Sequence, residues 1–284
     1  MPEAVRSTLD ALSEATALLH GAGVPAARRE ALRLWTVTTG QSMVLAGPGA
    51  APGRADVERF RQAITRRASG EPWQYAAGAT GFRRLTIACD HRALIPRPET
   101  EGLIDLALGL CGAGRALDLG TGTGCIALAL ADEGAYAAVT GVDASADALA
   151  LARENGAACG LQVRWLHGDW ADPVGDDRFD LIVSNPPYIA TAEVDRLDTS
   201  VLDYEPRMAL DGGPDGLDAP RAAIEAAARV AAPGAWLILE VDASRSAHTV
   251  ELARAAGWNS VRITADLYGR DRYLTACREP DHAR

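Results

Sequence analysis

The four residues Asn185, Pro186, Pro187 and Tyr188 form the motif of this chain that is best suited to chemistry. They follow the hydrophobic run 179–184, which predicts a short buried strand. The motif therefore lies at the carboxyl end of a strand, where open α/β sheets bind their ligands. Each proline fixes φ and removes an N–H donor. The result is a rigid turn whose free acceptors, the side-chain oxygen of Asn185 and nearby carbonyls, can hold both hydrogens of a planar –NH2 group.

A planar –NH2 group is a poor nucleophile because its lone pair is delocalised. If Asn185 and a main-chain carbonyl, which we expect to be that of Pro186, held its two hydrogens in tetrahedral-like directions, the lone pair would turn toward an electrophile. The ring of Tyr188 can pack against the planar group. We predict catalytic roles for Asn185, Pro186 and Tyr188 and substrate contacts for all four residues of the turn. Asn185 is also assigned to the cofactor site. The simpler interpretations are a turn cap for Asn185 and ordinary packing for Tyr188.

A glycine-rich segment at 120–124 indicates where the electrophile binds. Residues 115–119 before it predict a strand and residues 125–131 after it predict a helix, which together form the first unit of a nucleotide-binding α/β domain. The spacing is G-x-G-x-G and not the G-x-G-x-x-G of dinucleotide-binding proteins, which favours S-adenosylmethionine over NAD. The predicted cofactor-binding residues of this loop are Gly120, Thr121, Gly122, Thr123 and Gly124.

Two acidic residues accompany this loop. Asp143 ends the predicted strand 138–142, about twenty residues after the glycines, where an acid suits hydrogen bonding to ribose hydroxyls. A simple strand-end turn is the alternative for Asp143. Asp118 lies two residues before the first glycine and is assigned to the cofactor site, although it can equally anchor the loop by hydrogen bonds.

The order of the predicted elements indicates a helical domain followed by an α/β domain. Amphipathic helical patterns fill residues 1–75 apart from a Gly/Pro/Ala loop at 47–53, and a hairpin linker is predicted over 76–92. From 93 to 284 strands alternate with helices, which predicts a mainly parallel sheet. The last two strands, near 260–265 and 273–277, are expected to form an antiparallel pair at its edge. We expect the helical domain to recognise the substrate.

The composition favours a folded enzyme over a nucleic-acid-binding protein. With 284 residues, 48% of them hydrophobic, the chain can build a sizeable core. Its net charge is −10, whereas sequence-independent nucleic-acid binding depends on a basic surface. The five cysteines form no C-x-x-C pair and the histidines show no metal-ligand spacing, so we expect no metal and a reducing compartment. No secretory signal or long apolar run is present, which predicts a cytoplasmic protein without membrane contact.

Further motifs cover most of the chain. The most specific is Leu94-Ile95-Pro96-Arg97-Pro98-Glu99-Thr100-Glu101, and the others lie at 70–75, 118–124, 168–170, 185–189, 204–206 and 266–272. Together they resemble the peptide chain release factor glutamine methyltransferases, also called HemK or PrmC. The Asn-Pro-Pro-Tyr turn alone is shared with DNA amino-methyltransferases, so the family assignment depends mainly on the segment 94–101.

The resemblance implies a Rossmann-like class I S-adenosylmethionine-dependent methyltransferase sheet of the α/β class, with a small N-terminal helical domain and a hairpin linker. It implies that S-adenosyl-L-methionine methylates the side-chain amide of the glutamine in the Gly-Gly-Gln motif of bacterial peptide chain release factors, leaving S-adenosyl-L-homocysteine. It places Asp169 and Trp170 beside the adenine and Glu205 in a wall on the substrate side. Arg97 lies between two prolines just before the α/β domain, and this position predicts a structural or substrate-gating role with a substrate contact. We expect a monomer that does not bind nucleic acid directly.

Several alternatives stay open at this stage. Asp242 and Arg245 after Glu240, and Ala190 after the Asn-Pro-Pro-Tyr turn, depart from the pattern usual in the family and leave room for a paralogue with another substrate. One alternative is a ribosomal-protein glutamine methyltransferase. Another is a DNA amino-methyltransferase, which would need a basic groove and a base-flipping pocket. The remaining alternative functions are a non-catalytic S-adenosylmethionine sensor and a nicotinamide dehydrogenase.

Overall fold

The computed structural model describes residues 7–41 and 53–279. Most of the loop predicted at 47–53, and the chain end after residue 279, therefore lie outside the described residues. The chain divides into two compact units, residues 1–80 and 81–284. The domain bounds expected at residues 75 and 92 stay a prediction.

The first unit is helical in its described part. Its helices pack around a shared apolar core, in which the rings of Trp35 and Phe60 meet edge to face with centroids 5.1 Å apart. Leu19 and Leu34 are fully buried in the same core. The helices are α1 (Thr8–Gly21), α2 (Ala27–Thr39), α3 (Arg54–Ala68) and α4 (Trp73–Ala77).

A two-stranded hairpin follows, made of β1 (Ala79–Phe82) and β2 (Leu85–Ala88). Arg83 in its turn has a φ of 53°, a left-handed backbone conformation. Its guanidinium forms ion pairs with Asp105 at 2.7 Å and Glu133 at 2.8 Å. Arg83, Asp105 and Glu133 all belong to the second unit, and these contacts fix the turn of the hairpin within that unit.

The second unit is built on a seven-stranded sheet. The strands are β3 (Ala113–Leu119), β4 (Ala135–Asp143), β5 (Arg164–His167), β6 (Phe179–Ser184), β7 (Ala231–Glu240), β8 (Asn259–Ala265) and β9 (Asp271–Cys277). Their order across the sheet is β5-β4-β3-β6-β7-β9-β8. The first five strands are parallel, and β9 is antiparallel to both β7 and β8. The α/β class and the antiparallel pair at the edge are confirmed.

Helices cover both faces of this sheet. They are α5 (Glu101–Cys111), α6 (Cys125–Glu133), α7 (Ala146–Cys159), α8 (Thr191–Val194), α9 (Thr199–Leu202), α10 (Asp218–Val230) and α11 (Ser246–Ala255). Two apolar clusters, one on each side of the sheet, bury the strands on both faces, which explains why β3 and β6 are nearly continuous hydrophobic runs. None of the helices in the described ranges is long and apolar enough to cross a lipid bilayer.

The chain order reverses between β3 and β6. From β3 the chain runs through β4 to β5 on one side, and then crosses to β6 on the other. In open α/β sheets this reversal opens a crevice at the carboxyl ends of the strands. The last residues of the two strands, Leu119 and Ser184, are register partners. The Ser184 hydroxyl donates to the Leu119 carbonyl at 2.7 Å. The glycine loop and the Asn-Pro-Pro-Tyr turn therefore begin side by side.

Candidate active site

The glycine loop after β3 is folded back tightly against β4. The N–H groups of Gly120 and Thr121 both donate to the Val142 carbonyl at 2.9 Å. The φ angles of Gly120 and Gly122, +71° and +55°, are left-handed and favour glycine. A Cβ on Gly120 would meet no atom within 4 Å, so the backbone there faces open space. A Cβ on Gly124 would lie 2.8 Å from the ring of Trp165, so the third glycine is needed for packing.

Asp118 is turned into the loop. Its carboxylate accepts from the Thr121 hydroxyl at 2.5 Å and from the Ala127 N–H at 3.2 Å. The side chain is fully buried, and this burial raises the pKa of the carboxyl to about 7. Asp118 does not line the cavity described below. These contacts favour the loop-anchoring role over direct contact with a ligand.

Asp143 ends β4 and connects two loops. One carboxylate oxygen accepts from the Gly122 N–H and the other from the Ser145 N–H, both at 2.8 Å. Because a carboxylate oxygen can accept two hydrogen bonds, one position on each oxygen is left for a ligand. Burial raises the pKa of Asp143 above its ordinary range, and the two N–H donors oppose that shift. Asp143 lines the cavity, as its predicted role requires.

The segment after β5 forms the adjoining wall. Asp169 and Trp170 both line the cavity. Trp170 has a φ of 41°, a conformation that is rare for a residue with a side chain. The Gly168 N–H donates to the Asp143 carbonyl at 3.0 Å, which ties this segment to the end of β4. The two predicted residues are thus brought next to Asp143.

Asn185 is held by one end of its side-chain amide. Its Nδ2 donates to the hydroxyl of Thr100 at 3.2 Å. No described residue donates a hydrogen bond to its Oδ1. Asn185 also lines the cavity that the glycine loop and the neighbouring segments enclose. The side chain thus presents a free acceptor oxygen beside the glycine loop, which is the geometry that an –NH2 substrate requires.

Tyr188 is directed toward Glu240 and not into the cavity. Its hydroxyl donates to Glu240 Oε1 at 3.2 Å, and the Thr100 hydroxyl donates to Glu240 Oε2 at 2.8 Å. Glu240, at the end of β7, is 1% exposed. Burial raises its pKa, and the Thr100 hydroxyl and the charge of Arg272 oppose that shift. Tyr188 does not line the cavity, so its ring contact with a substrate stays a prediction.

The two prolines of the turn differ in placement. Pro187 lines the cavity, whereas Pro186 is buried and does not. A Cβ on Gly212 would lie 2.6 Å from the Pro187 carbonyl, so the segment that follows α9 packs directly under the turn. No described residue donates a hydrogen bond to the Pro186 carbonyl, which leaves it free to accept one.

Arg97 and Glu205 form a pair at the wall of the cavity. The guanidinium of Arg97 lies 2.6 Å from Glu205 Oε1, and the Ile95 N–H donates to Oε2 at 3.3 Å. The Glu205 side chain is 1% exposed, whereas Arg97 is 35% exposed and lines the cavity. Arg97 can therefore meet a substrate, while Glu205 holds Arg97 and its loop in place.

The cavity enclosed by these segments has a volume of about 310 Å³. Most of the predicted site residues line it, namely Arg97, Gly120, Thr121, Gly122, Thr123, Asp143, Asp169, Trp170, Asn185 and Pro187. The five predicted residues outside its lining are Asp118, Gly124, Pro186, Tyr188 and Glu205. The cavity is thus lined by the glycine loop, by the acid Asp143 and by the acceptor amide of Asn185.

Comparison with known proteins identifies the family. Residues 10–78 match the family model of the PrmC N-terminal domain, and residues 105–203 match that of the methyltransferase small domain. A release factor glutamine methyltransferase of Deinococcus radiodurans is 39% identical over 95% of this chain and 98% of its own. One of Caulobacter vibrioides is 43% identical over 76% of this chain and 77% of its own. The chain belongs to the release factor glutamine methyltransferase family.

A solved structure supports the fold of this family member. A methyltransferase from Pyrococcus furiosus superposes with a TM-score of 0.56 at 21% identity, covering 78% of this chain and 98% of its own. At that identity the likeness concerns the fold alone, and it agrees with the class I methyltransferase sheet predicted from the sequence.

The departures from the family's usual pattern have structural roles of their own. Asp242 accepts from the Ser244 N–H at 2.9 Å and caps a short helical turn after β7. The Arg245 guanidinium lies 2.7 Å from a Glu193 carboxylate oxygen and donates to the Asp215 carbonyl at 2.6 Å. Arg245 thus ties the end of β7 to the segment that follows the Asn-Pro-Pro-Tyr turn.

Several polar residues in and around the site have no role predicted from the sequence, among them Thr100, Glu240 and Asn155. Thr100 belongs to the segment 94–101 and Glu240 precedes the departures at Asp242 and Arg245, but no spacing in the sequence indicates that the two residues meet. Asn155 in α7 donates to the Thr123 carbonyl at 2.9 Å and accepts from the Ala88 N–H at 2.8 Å, and nothing in the sequence pattern marked it. The five cysteines, all of which lie within the described residues, form no disulfide, and no cluster of metal ligands is found within 7–41 and 53–279. That this protein needs no metal stays a prediction.

Proposed function

We propose that this protein transfers a methyl group from S-adenosyl-L-methionine to the side-chain amide nitrogen of the glutamine in the Gly-Gly-Gln motif of bacterial peptide chain release factors. The observation that carries the proposal is the Asn185 amide, whose nitrogen is bound to Thr100 while its oxygen is free at the cavity beside the glycine loop. The family relatives are named for this activity. They do not favour a ribosomal-protein or a DNA amino-methyltransferase.

The residues around the glycine loop fit S-adenosylmethionine. The open space at Gly120 lets a ligand approach the backbone, and Asp143 keeps one acceptor position on each oxygen for ribose hydroxyls. Asp169 and Trp170 complete this end of the cavity on the side predicted for the adenine. When bound, S-adenosylmethionine supplies an electrophilic methyl group on a positively charged sulfur. Asn185, which lines the same cavity, would hold the acceptor.

The protein's own contribution is to hold the acceptor amide. Asn185 Oδ1 accepts one hydrogen of the substrate –NH2 group, and the Pro186 carbonyl accepts the other, which turns the nitrogen lone pair out of the amide plane. Fixing two reactants in register can supply about 7–11 kcal/mol of a barrier. No strong base is needed if the proton leaves after the methyl has arrived, because the methylated nitrogen is then acidic.

Mass spectrometry of a purified release factor tests the reaction. After incubation with this protein and S-adenosylmethionine, the peptide that contains Gly-Gly-Gln should gain the mass of one methyl substitution at the glutamine. A release factor whose glutamine is replaced by glutamate is the matched substrate control, and Asn185→Ala is the matched enzyme control. Methylation of duplex DNA or of a ribosomal protein, without methylation of the release factor, would refute the proposal.

We further propose that the helical unit binds the release factor protein while the second unit binds the cofactor. The residues of the cavity all lie beyond residue 80, so cofactor binding needs no residue of the helical unit. Removal of residues 1–75 should therefore lower methylation of the release factor far more than affinity for S-adenosylmethionine. If the shortened chain methylated the release factor as fast as the full-length chain does, the helical unit would not be needed to bind the release factor.

A further inference from the structure

The four side chains of Asn185, Thr100, Glu240 and Tyr188 form one hydrogen-bonded chain. Asn185 Nδ2 lies 3.2 Å from Thr100 Oγ1, and Thr100 Oγ1 lies 2.8 Å from Glu240 Oε2. Tyr188 reaches Glu240 Oε1 at 3.2 Å. The chain is assembled by the sheet, because Glu240 follows Leu239, the register partner of Ser184, and Asn185 follows Ser184.

The ionisation of Glu240 decides which group donates and which accepts in each of these hydrogen bonds. An ionised carboxylate accepts hydrogen bonds and donates none. Burial raises the pKa of Glu240, but the hydroxyl that meets each of its oxygens and the positive charge of Arg272 all favour the ionised carboxylate. Thr100 has one hydroxyl hydrogen, and it is directed to Glu240. Although Thr100 precedes α5, its hydroxyl does not cap that helix, in contrast to most threonines at this position.

Because its single hydrogen is used, Thr100 can only accept from Asn185. The nitrogen of the Asn185 amide must then face Thr100, and the oxygen must face the cavity. A flipped amide would bring two acceptor oxygens together at Thr100. It would also turn an –NH2 donor toward the –NH2 group of the substrate, so that neither could accept from the other.

We propose that Thr100 and Glu240 are positioning residues that fix which end of the Asn185 amide faces the acceptor. The proposal extends the proposed function and rests on it for its catalytic consequence. The orientation of the amide in the free protein is independent of any substrate. Thr100 therefore acts on the reaction through Asn185, and its own hydroxyl need not touch the substrate.

Thr100→Val and Thr100→Ser form the matched pair of variants for kinetic tests. Valine keeps the shape and loses the hydroxyl, whereas serine keeps the hydroxyl. Single-turnover methylation of the release factor should slow on the order of 10–10²-fold in Thr100→Val and by less than about threefold in Thr100→Ser. In an Asn185→Ala background, Thr100→Val should change the rate by no more than about twofold, since the group it orients is gone. A full additional loss in that background would overturn the proposal.

Nuclear magnetic resonance gives a readout that does not depend on activity. In protein with ¹⁵N-labelled asparagine, the side-chain resonance of Asn185 is assigned by its loss in Asn185→Ala. At mildly alkaline pH its hydrogens should exchange slowly in the parent and in Thr100→Ser, and at least about tenfold faster in Thr100→Val. Unchanged exchange in Thr100→Val would overturn the proposal whatever the substrate is. Absence of methylation by the parent, together with the expected exchange rates, would instead refute only the proposed function.

Glu240→Gln is a second variant in case Thr100→Val does not fold, as judged by calorimetric binding of S-adenosylmethionine. Glutamine has one acceptor end and one donor end, so only one of the two contacts, with Thr100 or with Tyr188, can keep its direction. Partial reversal at Thr100 should accelerate exchange of the Asn185 amide and slow methylation, both by at least about threefold. Parent-like exchange and rate in Glu240→Leu, which removes both acceptor oxygens and leaves the Thr100 hydroxyl hydrogen undirected, would contradict the proposal.

Discussion

The amide nitrogen of Asn185 lies 3.2 Å from the hydroxyl of Thr100, although the two residues are 85 positions apart. This contact connects the family-specific segment at 94–101 with the Asn-Pro-Pro-Tyr turn, which is shared by amino-methylating enzymes more widely. The family-specific segment at 94–101 therefore contributes a residue to the site that binds the acceptor amide. Because this contact occupies the amide nitrogen, the oxygen of Asn185 is the atom that can accept a hydrogen from the substrate.

Asn185→Ala should reduce turnover strongly and leave cofactor binding nearly unchanged. The substitution removes the acceptor that holds one hydrogen of the substrate amide as charge develops on its nitrogen. By analogy with the loss of one preorganised oxyanion donor, the rate should fall on the order of 10²–10³-fold. Single-turnover methylation at saturating cofactor measures the effect. A rate within a few-fold of the parent would exclude Asn185 as the orienting group.

Asn185→Asp separates charge from acceptor capacity. The aspartate keeps an oxygen toward the cavity, but its other oxygen faces Thr100, whose hydroxyl hydrogen is already directed to Glu240. We expect turnover between that of the parent and that of Asn185→Ala, measured in the same single-turnover assay. Full parental activity would show that the hydrogen bond from Asn185 to Thr100 is dispensable.

Asp143→Ala should weaken binding of S-adenosylmethionine. The change removes a charge-assisted hydrogen bond to the ribose, worth roughly 1.5–3 kcal/mol, and it also releases the N–H groups of Gly122 and Ser145. Asp143→Asn is the control, because its amide oxygen can keep one of the two N–H contacts and should cost less. Isothermal titration of both variants with S-adenosylmethionine measures the difference. Undiminished affinity in Asp143→Ala would remove this residue from the site.

Substitutions at Arg97 and Glu205 should have strongly coupled effects on the free energy of unfolding. Arg97→Ala leaves the buried Glu205 carboxylate with only the Ile95 N–H as a donor. The loss of a hydrogen bond to a charged group lowers the free energy of unfolding by about 1.5–3 kcal/mol. The loss is smaller here because Arg97 is partly exposed to solvent. The double variant Arg97→Ala/Glu205→Gln, which removes the unpaired charge, should recover part of the lost free energy of unfolding. Urea denaturation of the parent, both single variants and the double variant measures the coupling. Additive effects would show that the two side chains act independently.

Much of this site follows from neighbouring strands and local motifs. The glycine loop, Asp143 and Asn185 each come directly after a strand, and parallel strands place their carboxyl ends at one edge of the sheet. The contact between Thr100 and Glu240 spans 140 positions and depends on β7 lying beside β6, which no local pattern specifies. Likewise, the position of Asp118 just before the glycine loop indicates a role at this site, but it does not indicate which way the side chain points. Whether its carboxylate faces the loop or the ligand is decided by packing against α6.

Asp118 should make the stability of the fold depend on pH. Burial raises the pKa of its carboxyl to about 7 in the folded protein, whereas the ordinary value is 3.8. A raised folded-state pKa means that the folded protein binds the proton more tightly. The resulting stability is fully present below pH 3.8 and is lost as pH rises through about 7.

Asp118→Asn isolates this effect, because the amide keeps the shape and does not titrate. The free energy of unfolding of the parent, minus that of the variant, should fall by roughly 1 kcal/mol for each pH unit between about 5 and 7. It should level off at higher pH, where the carboxyl is ionised in both states. Urea denaturation at a series of pH values gives this difference directly. A difference that does not change with pH would mean that the buried carboxyl titrates at its ordinary value, and that its contacts with Thr121 and Ala127 offset the cost of burial.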